Sequence, residues 1–197
     1  YEIAETVQPL LSTILSWTGR CSPPNADASA LALACMDLTG VFYLDDCPSG
    51  EADQHLDNFE SLLKGDTPKP TAPAIYHAYR ELLTRVQSSC SNRLFSQYLA
   101  GRQKLVCGYR RRRALTRTGD PICFADYLEL RMATIFVDQW IDLWEALGGF
   151  KFTESERVSV VVVQTRRALS HWHVFENELS SESRDARDNV PNLVRID

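Results

Sequence analysis

The sequence lacks the features that would place it in a membrane, on nucleic acid or in a disulfide framework. It has no run of about 18 strictly apolar residues for a membrane span, and its first residues show neither a basic segment nor an apolar core, so we expect no signal peptide. With 26 acidic and 21 basic residues its formal charge is −5, which argues against a nucleic-acid binder. The six cysteines form no CxxC pair and no metal-ligand spacing, which predicts reduced, mostly buried thiols in a cytoplasmic protein.

Strand-like alternation is also missing, and helical periodicity takes its place. Apolar residues at helical spacing, interrupted by proline and glycine, predict helices at about 3–18, 27–46, 51–64, 74–88, 92–112, 122–147 and 152–187. The 197 residues suffice for one domain with a buried core. We therefore predict an all-α fold, a single domain over residues 1–197, in which long helices pack about a centre.

Three oxygen-bearing side chains fall on one face of the last predicted helix. Asn177, Ser181 and Asp185 are spaced i, i+4 and i+8, so they stack about one turn apart. An amide, a hydroxyl and a carboxylate oxygen are hard ligands of the kind that Mg²⁺ accepts. Arg184 lies at the edge of the same arc and could bind an anion that bridges the metal. His173, one turn before Asn177, faces the same way and is a candidate lining residue.

A pair of adjacent carboxylates closes an earlier apolar helix. Asp45 and Asp46 follow a face made of Leu38, Val41 and Phe42. Neighbouring carboxylates repel each other unless a cation or an arginine satisfies them. The pair is therefore either a second metal-binding position or a solvated helix end.

Arg131 and the basic run Arg110–Arg113 each require an explanation of how their positive charge is accommodated. Arg131 lies on a helical face shared with Tyr127 and Ile135, and an arginine in an apolar face needs an anion. That anion is either a bound ligand or Asp138, two turns further on. The basic run Arg110–Arg113 is interpreted as a solvated helix end, because its charge suits a helix C-terminus and the chain as a whole is acidic.

In combination, these motifs resemble those of class I terpene cyclases. The run N-E-L-x-S-x-x-R-D, from Asn177 to Asp185, resembles their second metal motif. FYLDD, ending at Asp46, has the place of their aspartate-rich motif at the end of an apolar helix. In PICFADYLELR, Arg131 lies 46 positions before Asn177 (177 − 131), as the diphosphate-sensing arginine of the family does. The resemblance runs from about residue 28 to 194 and is greatest to microbial sesquiterpene cyclases, the trichodiene synthase kind included.

The resemblance implies an all-α bundle around a central cavity, in which the helices carrying Asp45 and Asn177 face each other. It implies Mg²⁺-dependent ionisation and cyclisation of a prenyl diphosphate, most of all farnesyl diphosphate, to a sesquiterpene, with three Mg²⁺ ions and diphosphate release. No nucleic acid and no stable membrane insertion are expected, and a homodimer is left open. The implied residues are metal ligands Asp45, Asp46, Asn177, Ser181 and Asp185; diphosphate ligands Arg131 and Arg184; and pocket residues Val41, Phe42, Tyr127, Ile135 and His173.

The sequence also departs from the family pattern. Ser49 stands where a third acidic residue is usual, Glu178 replaces aspartate, and Asp185 replaces glutamate. Nothing matches the Arg-Tyr pair that family members carry further on, so a partial domain is expected. The alternative is a non-catalytic helical relative that binds a prenyl diphosphate or a partner chain. A chain-elongating prenyltransferase normally has two aspartate-rich motifs, and the Asn/Ser motif argues against it.

Overall fold

A computed structural model of the chain describes residues 12–46, 50–188 and 190–196, and every regular element within these ranges is helical. The all-α prediction is therefore confirmed. The elements are α1, described over 12–20, then α2 (Ala28–Asp46), α3 (Ala52–Leu63), α4 (Ala74–Ser89), α5 (Asn92–Thr118), α6 (Phe124–Thr134), α7 (Val137–Ala146), α8 (Glu154–Arg157), α9 (Val160–Arg187) and a 3-10 turn at Leu193–Arg195.

Two predicted helices are each broken into two, and both corrections have a local cause. Between α6 and α7, Phe136 adopts a φ of 73°, a left-handed conformation that no α-helix continues through. Between α8 and α9, Ser159 is extended and its hydroxyl accepts a hydrogen bond from the Val162 amide, which starts a new helix. The valine run after Ser159 is helical, as its wider pattern predicted.

The chain divides into two compact units. The first comprises Tyr1–Gln103 and Ile141–Lys151, and the second comprises Lys104–Trp140 and Phe152–Asp197. α5 and α7 each contribute residues to both units. The single domain over 1–197 stays a prediction, and each unit is described by itself below.

In the first unit, a buried charge network holds α2. Asp37 has no exposed surface and accepts hydrogen bonds from Arg102, from Tyr98 at 3.1 Å and from Tyr79 at 3.5 Å. Burial raises the pKa of Asp37, and the Arg102 charge acts against that rise. A buried carboxylate is tolerated because an arginine and two hydroxyls satisfy it. The network fixes the helix that ends at Asp46.

α2 is the apolar helix that the sequence predicted before Asp45 and Asp46. Residues Ala28–Asp45 have a mean hydropathy of 1.3. By length and composition alone, this helix could cross a membrane. A core helix passes the same test, and Leu33, Leu38 and Leu44 of α2 are buried in the protein. The absence of membrane insertion stays a prediction.

The described cysteines are free thiols, as expected, but their burial was predicted wrongly. Cys21, Cys107 and Cys123 are exposed, and Cys35 and Cys90 are half-buried. Cys21, Cys90 and Cys123 lie in connections between helices, and Cys35 and Cys107 lie on helices at positions that are not fully buried.

In the second unit, α6 and α9 pack together and the C-terminal turn closes the core. The buried cluster consists of Tyr127, Leu130, Val174 and Leu193. α5 approaches α6 closely at Gly108, where a Cβ atom would lie 2.7 Å from Thr134 Cγ2 and 3.3 Å from Ala133 Cβ. The glycine therefore sets the distance between these helices.

Gly108→Ala should destabilise the protein by about 1–3 kcal/mol, because the added methyl overpacks the contact with Thr134. The matched control is Gly19→Ala in α1, where no atom lies within 4 Å of the added Cβ. There the better helix propensity of alanine should leave stability unchanged or raise it by up to about 1 kcal/mol. Urea unfolding of both variants measures the difference, and equal effects would contradict the close packing.

Candidate metal-binding site

The three predicted metal ligands lie on one uninterrupted helix. Asn177, Ser181 and Asp185 all belong to α9, so their one-turn spacing is present in the structure. Ser181 and Asp185 are buried, whereas Asn177 is exposed. The Ser181 hydroxyl donates to Asp185 Oδ2 at 2.6 Å. A serine that donates its proton to the carboxylate keeps its oxygen lone pairs available for a cation.

Arg131 contacts the first of these ligands directly. Its Nη2 donates to Asn177 Oδ1 at 2.7 Å, and its Nη1 donates to Thr134 Oγ1 at 2.7 Å. Its Nε donates to Glu178 Oε1 at 2.5 Å. The alternative that Asp138 is the anionic partner of Arg131 is wrong. Asp138 Oδ1 instead accepts a hydrogen bond from Arg166 Nε at 2.9 Å.

Glu178 binds both Arg131 and the C-terminal segment, contacts that its position beside Asn177 in the sequence did not predict. Its side chain is 1% exposed, and its second oxygen, Oε2, accepts from the Leu193 amide at 2.8 Å. The carboxylate therefore joins Arg131 to the C-terminal segment. Glu178 falls on the buried face of α9 with Ser170, Val174, Ser181 and Asp185, which explains its lack of exposure.

Asn192 is a second residue that sequence reasoning missed. Its Nδ2 donates to Asp185 Oδ2 at 2.9 Å and to the Glu178 carbonyl at 2.9 Å. The preceding carbonyl, that of Pro191, accepts from the Tyr127 hydroxyl. The resemblance to the family extends to about residue 194, but nothing in the sequence indicates which neighbour Asn192 contacts. Its role becomes visible only when the segment folds back on α9.

Asp185 is held as a carboxylate. Burial raises its pKa, but hydrogen bonds from Ser181 and Asn192 and the charges of Arg112 and Arg184 outweigh that effect, so the pKa lies below its ordinary value. Arg184 Nε lies 3.6 Å from Asp185 Oδ1. Asp185 is therefore ionised at neutral pH, the state in which a carboxylate binds metal.

Arg112 corrects the interpretation of the basic run as a solvated helix end. It is half-buried, and its charge lowers the pKa of Asp185. It also acts on Tyr127, whose pKa is raised by burial and by Glu178 despite Arg131 and Arg112. Nothing in the run of repeated arginines indicates that the charge of one of them acts on Asp185.

The predicted pocket residues of the second unit differ in exposure. Tyr127 is fully buried in the core cluster, and Ile135 packs against that cluster while partly exposed. His173 is partly exposed, with Nδ1 3.8 Å from Glu176 Oε2. Their roles as pocket residues stay predictions.

The remaining predicted residues lie on α2 in the first unit. Val41 is buried, Phe42 is half-buried, Asp45 is exposed and Asp46 is the last helical residue. Ser49, the departure from the aspartate-rich motif, lies outside the described residues. The assignment of Asp45 and Asp46 as metal ligands stays a prediction.

The oxygen ligands on α9 fit a hard cation only if another ligand supplies additional negative charge. Among the described residues, no group of three His, Cys, Asp or Glu side chains could hold a metal ion. Asn177, Ser181 and Asp185 supply suitable oxygens but a single negative charge. Mg²⁺ retains water and is commonly bound by one or two carboxylates together with substrate phosphates. This face therefore fits Mg²⁺ that arrives with a phosphate-bearing ligand.

Comparison with known proteins agrees with this fold. The family described as terpene synthase family 2, C-terminal metal binding, matches residues 39–196. Linalool/nerolidol synthase from Streptomyces clavuligerus is similar in structure, with a TM-score of 0.81 and 23% identity, over 98% of this chain and 69% of that chain. Germacradien-4-ol synthase from Streptomyces citricolor has a TM-score of 0.72 and 21% identity, over 94% of this chain and 66% of that chain. The chain thus spans about two thirds of these structures, and no curated protein matches it.

Proposed function

This chain belongs to terpene synthase family 2, and from that membership we propose that it ionises a linear prenyl diphosphate with Mg²⁺ and cyclises the resulting cation. Farnesyl diphosphate is the proposed substrate, and a sesquiterpene and inorganic diphosphate are the proposed products. The observation that carries the proposal is the 2.7 Å contact between Arg131 Nη2 and Asn177 Oδ1. It joins the proposed diphosphate ligand to the first proposed metal ligand.

The contact between Arg131 and Asn177 suggests how metal and diphosphate depend on each other. Asn177 Oδ1 accepts from Arg131, so a cation must compete with the guanidinium for that oxygen. A diphosphate oxygen that takes Arg131 Nη2 would release Asn177 for the metal. Glu178 and Thr134 would keep Nε and Nη1, so the guanidinium would stay oriented. Each ligand would thereby favour the other.

The residues of this face suit the departure of a diphosphate. When bound, Mg²⁺ supplies Lewis-acid neutralisation of the leaving group. Arg131 and Arg184 would add positive charge near the same oxygens as the allylic C–O bond breaks. The cation that forms must be kept from water, and an aromatic face could stabilise it. Phe42 and Tyr127 are the predicted aromatic residues. A cytoplasmic location stays a prediction, and the question of a homodimer stays open.

The experiment is incubation of the full-length protein with geranyl, farnesyl or geranylgeranyl diphosphate and Mg²⁺. Diphosphate release and volatile products, measured by gas chromatography and mass spectrometry, should appear with farnesyl diphosphate and disappear with EDTA. Binding of the substrates without any product would favour the non-catalytic relative. If the protein shows no substrate binding and no turnover, the proposed function is contradicted.

A further inference from the structure

We propose that Asn192 is a positioning residue that orients the Asp185 carboxylate for metal binding, an inference that rests on the proposed function. Asn192 is 1% exposed. It follows α9 in the chain and returns to contact the same helix face that carries Ser181 and Asp185. The proposal depends on the geometry of this contact.

The orientation of the Asn192 amide is fixed by its partners. Its Nδ2 donates to Asp185 Oδ2 and to the Glu178 carbonyl, each at 2.9 Å, and lies 3.5 Å from Ser181 Oγ. Its Oδ1 accepts from the Val194 amide at 2.9 Å. A flipped amide would place an oxygen against two acceptors and a nitrogen against a donor. Only one orientation therefore satisfies the buried side chain.

The Asn192 amide fixes the orientation of the Asp185 carboxylate. Oδ2 accepts from both Ser181 Oγ and Asn192 Nδ2, so turning the carboxylate would break two hydrogen bonds. The anchored Oδ2 leaves Oδ1, on the Arg184 side, as the oxygen that meets a cation. Partners of this kind fix metal ligands, and their loss typically costs ten- to a hundredfold in metal affinity.

The C-terminal segment has anchors that do not involve the Asn192 side chain. The Leu193 amide binds Glu178 Oε2 at 2.8 Å, and the Leu193 side chain is buried in the core cluster. The Val190 amide donates to the Asp185 carbonyl at 2.8 Å. Loss of the Asn192 amide should therefore leave the segment docked, which separates its effect on Asp185 from a general structural effect.

The test is titration of the full-length protein with Mn²⁺ in the presence of inorganic diphosphate, with free Mn²⁺ followed by electron paramagnetic resonance. Asn192→Ala should weaken Mn²⁺ binding by roughly ten- to a hundredfold. The control Leu193→Ala removes a segment anchor but keeps the amide, and it should bind Mn²⁺ within about twofold of the unaltered protein. Asn192→Gln, which displaces the amide by one methylene, should reproduce the loss if the alanine variant does not fold.

The outcomes separate this inference from the proposed function. Unchanged affinity in Asn192→Ala, or in Asn192→Gln where the alanine variant does not fold, overturns the positioning role alone. Equal losses in Asn192→Ala and Leu193→Ala also overturn it, because the segment rather than the amide would then matter. If the unaltered protein binds no Mn²⁺ with diphosphate, the proposed metal site fails, and the role of Asn192 fails with it.

Discussion

Glu178→Ala is expected to lower the free energy of unfolding by about 3–5 kcal/mol, the usual cost of removing one partner of a buried ion pair. Arg131 is 4% exposed, and the substitution would remove the carboxylate that binds its Nε. The same change would remove the acceptor of the Leu193 amide. One substitution would thus affect both the proposed diphosphate ligand and the attachment of the C-terminal segment.

A matched control lies two residues earlier on the same helix. Glu176 is 60% exposed, and Glu176→Ala should change stability by no more than about 0.5 kcal/mol. Urea unfolding at neutral pH compares the two variants. A Glu178→Ala protein within about 1 kcal/mol of the control would show that the buried pair with Arg131 does not form.

Asp185→Asn is expected to abolish the mutual enhancement between Mg²⁺ and diphosphate binding. Asp185 provides the only formal charge among the three proposed ligands on α9, and its lowered pKa keeps it ionised at neutral pH. An amide of the same shape would retain packing but lose the strong ligand. The Ser181 hydroxyl would keep a neighbour of similar size, so the fold should persist.

The control for this change is Asp188→Asn. Asp188 ends the same helix, is about half exposed, and its Oδ1 lies 3.4 Å from Arg187 Nε. It should leave the enhancement intact because it is a half-exposed carboxylate beside Arg187, one position beyond the last residue of α9. Isothermal calorimetry of Mg²⁺ with and without diphosphate measures both variants, and a normal enhancement in Asp185→Asn would remove Asp185 from the site.

The sequence predicted the positions of most helices because proline and glycine mark their ends. α2, α3 and α4 begin and end within one or two residues of the expected positions. The start of α8 was also readable, since Thr153 and Glu156 form a capping box whose spacing is present in the sequence. The break at Phe136 was not, because a positive φ at a phenylalanine has no signal in composition or periodicity.

The sequence predicted those parts of the candidate site that depend on residue spacing within one helix or on the separation between two family-like motifs. Asn177, Ser181 and Asp185 share a face by helical geometry, and Arg131 was expected near Asn177 from the family-like separation. Glu178, Asn192 and Arg112 depend on how distant segments pack against α9. Helical periodicity places Glu178 about 100° from Asn177, but it does not say which of the two directions is buried.

The central claim is that the α9 face and Arg131 form one Mg²⁺–diphosphate site, and calorimetry of the full-length protein tests it most directly. Mg²⁺ is titrated with and without inorganic diphosphate. The account predicts that diphosphate raises Mg²⁺ affinity by about 5- to 150-fold, the range typical of coupled sites, because it releases Asn177 from Arg131 and supplies the missing negative charge. Equal Mg²⁺ affinities in the two titrations would contradict it.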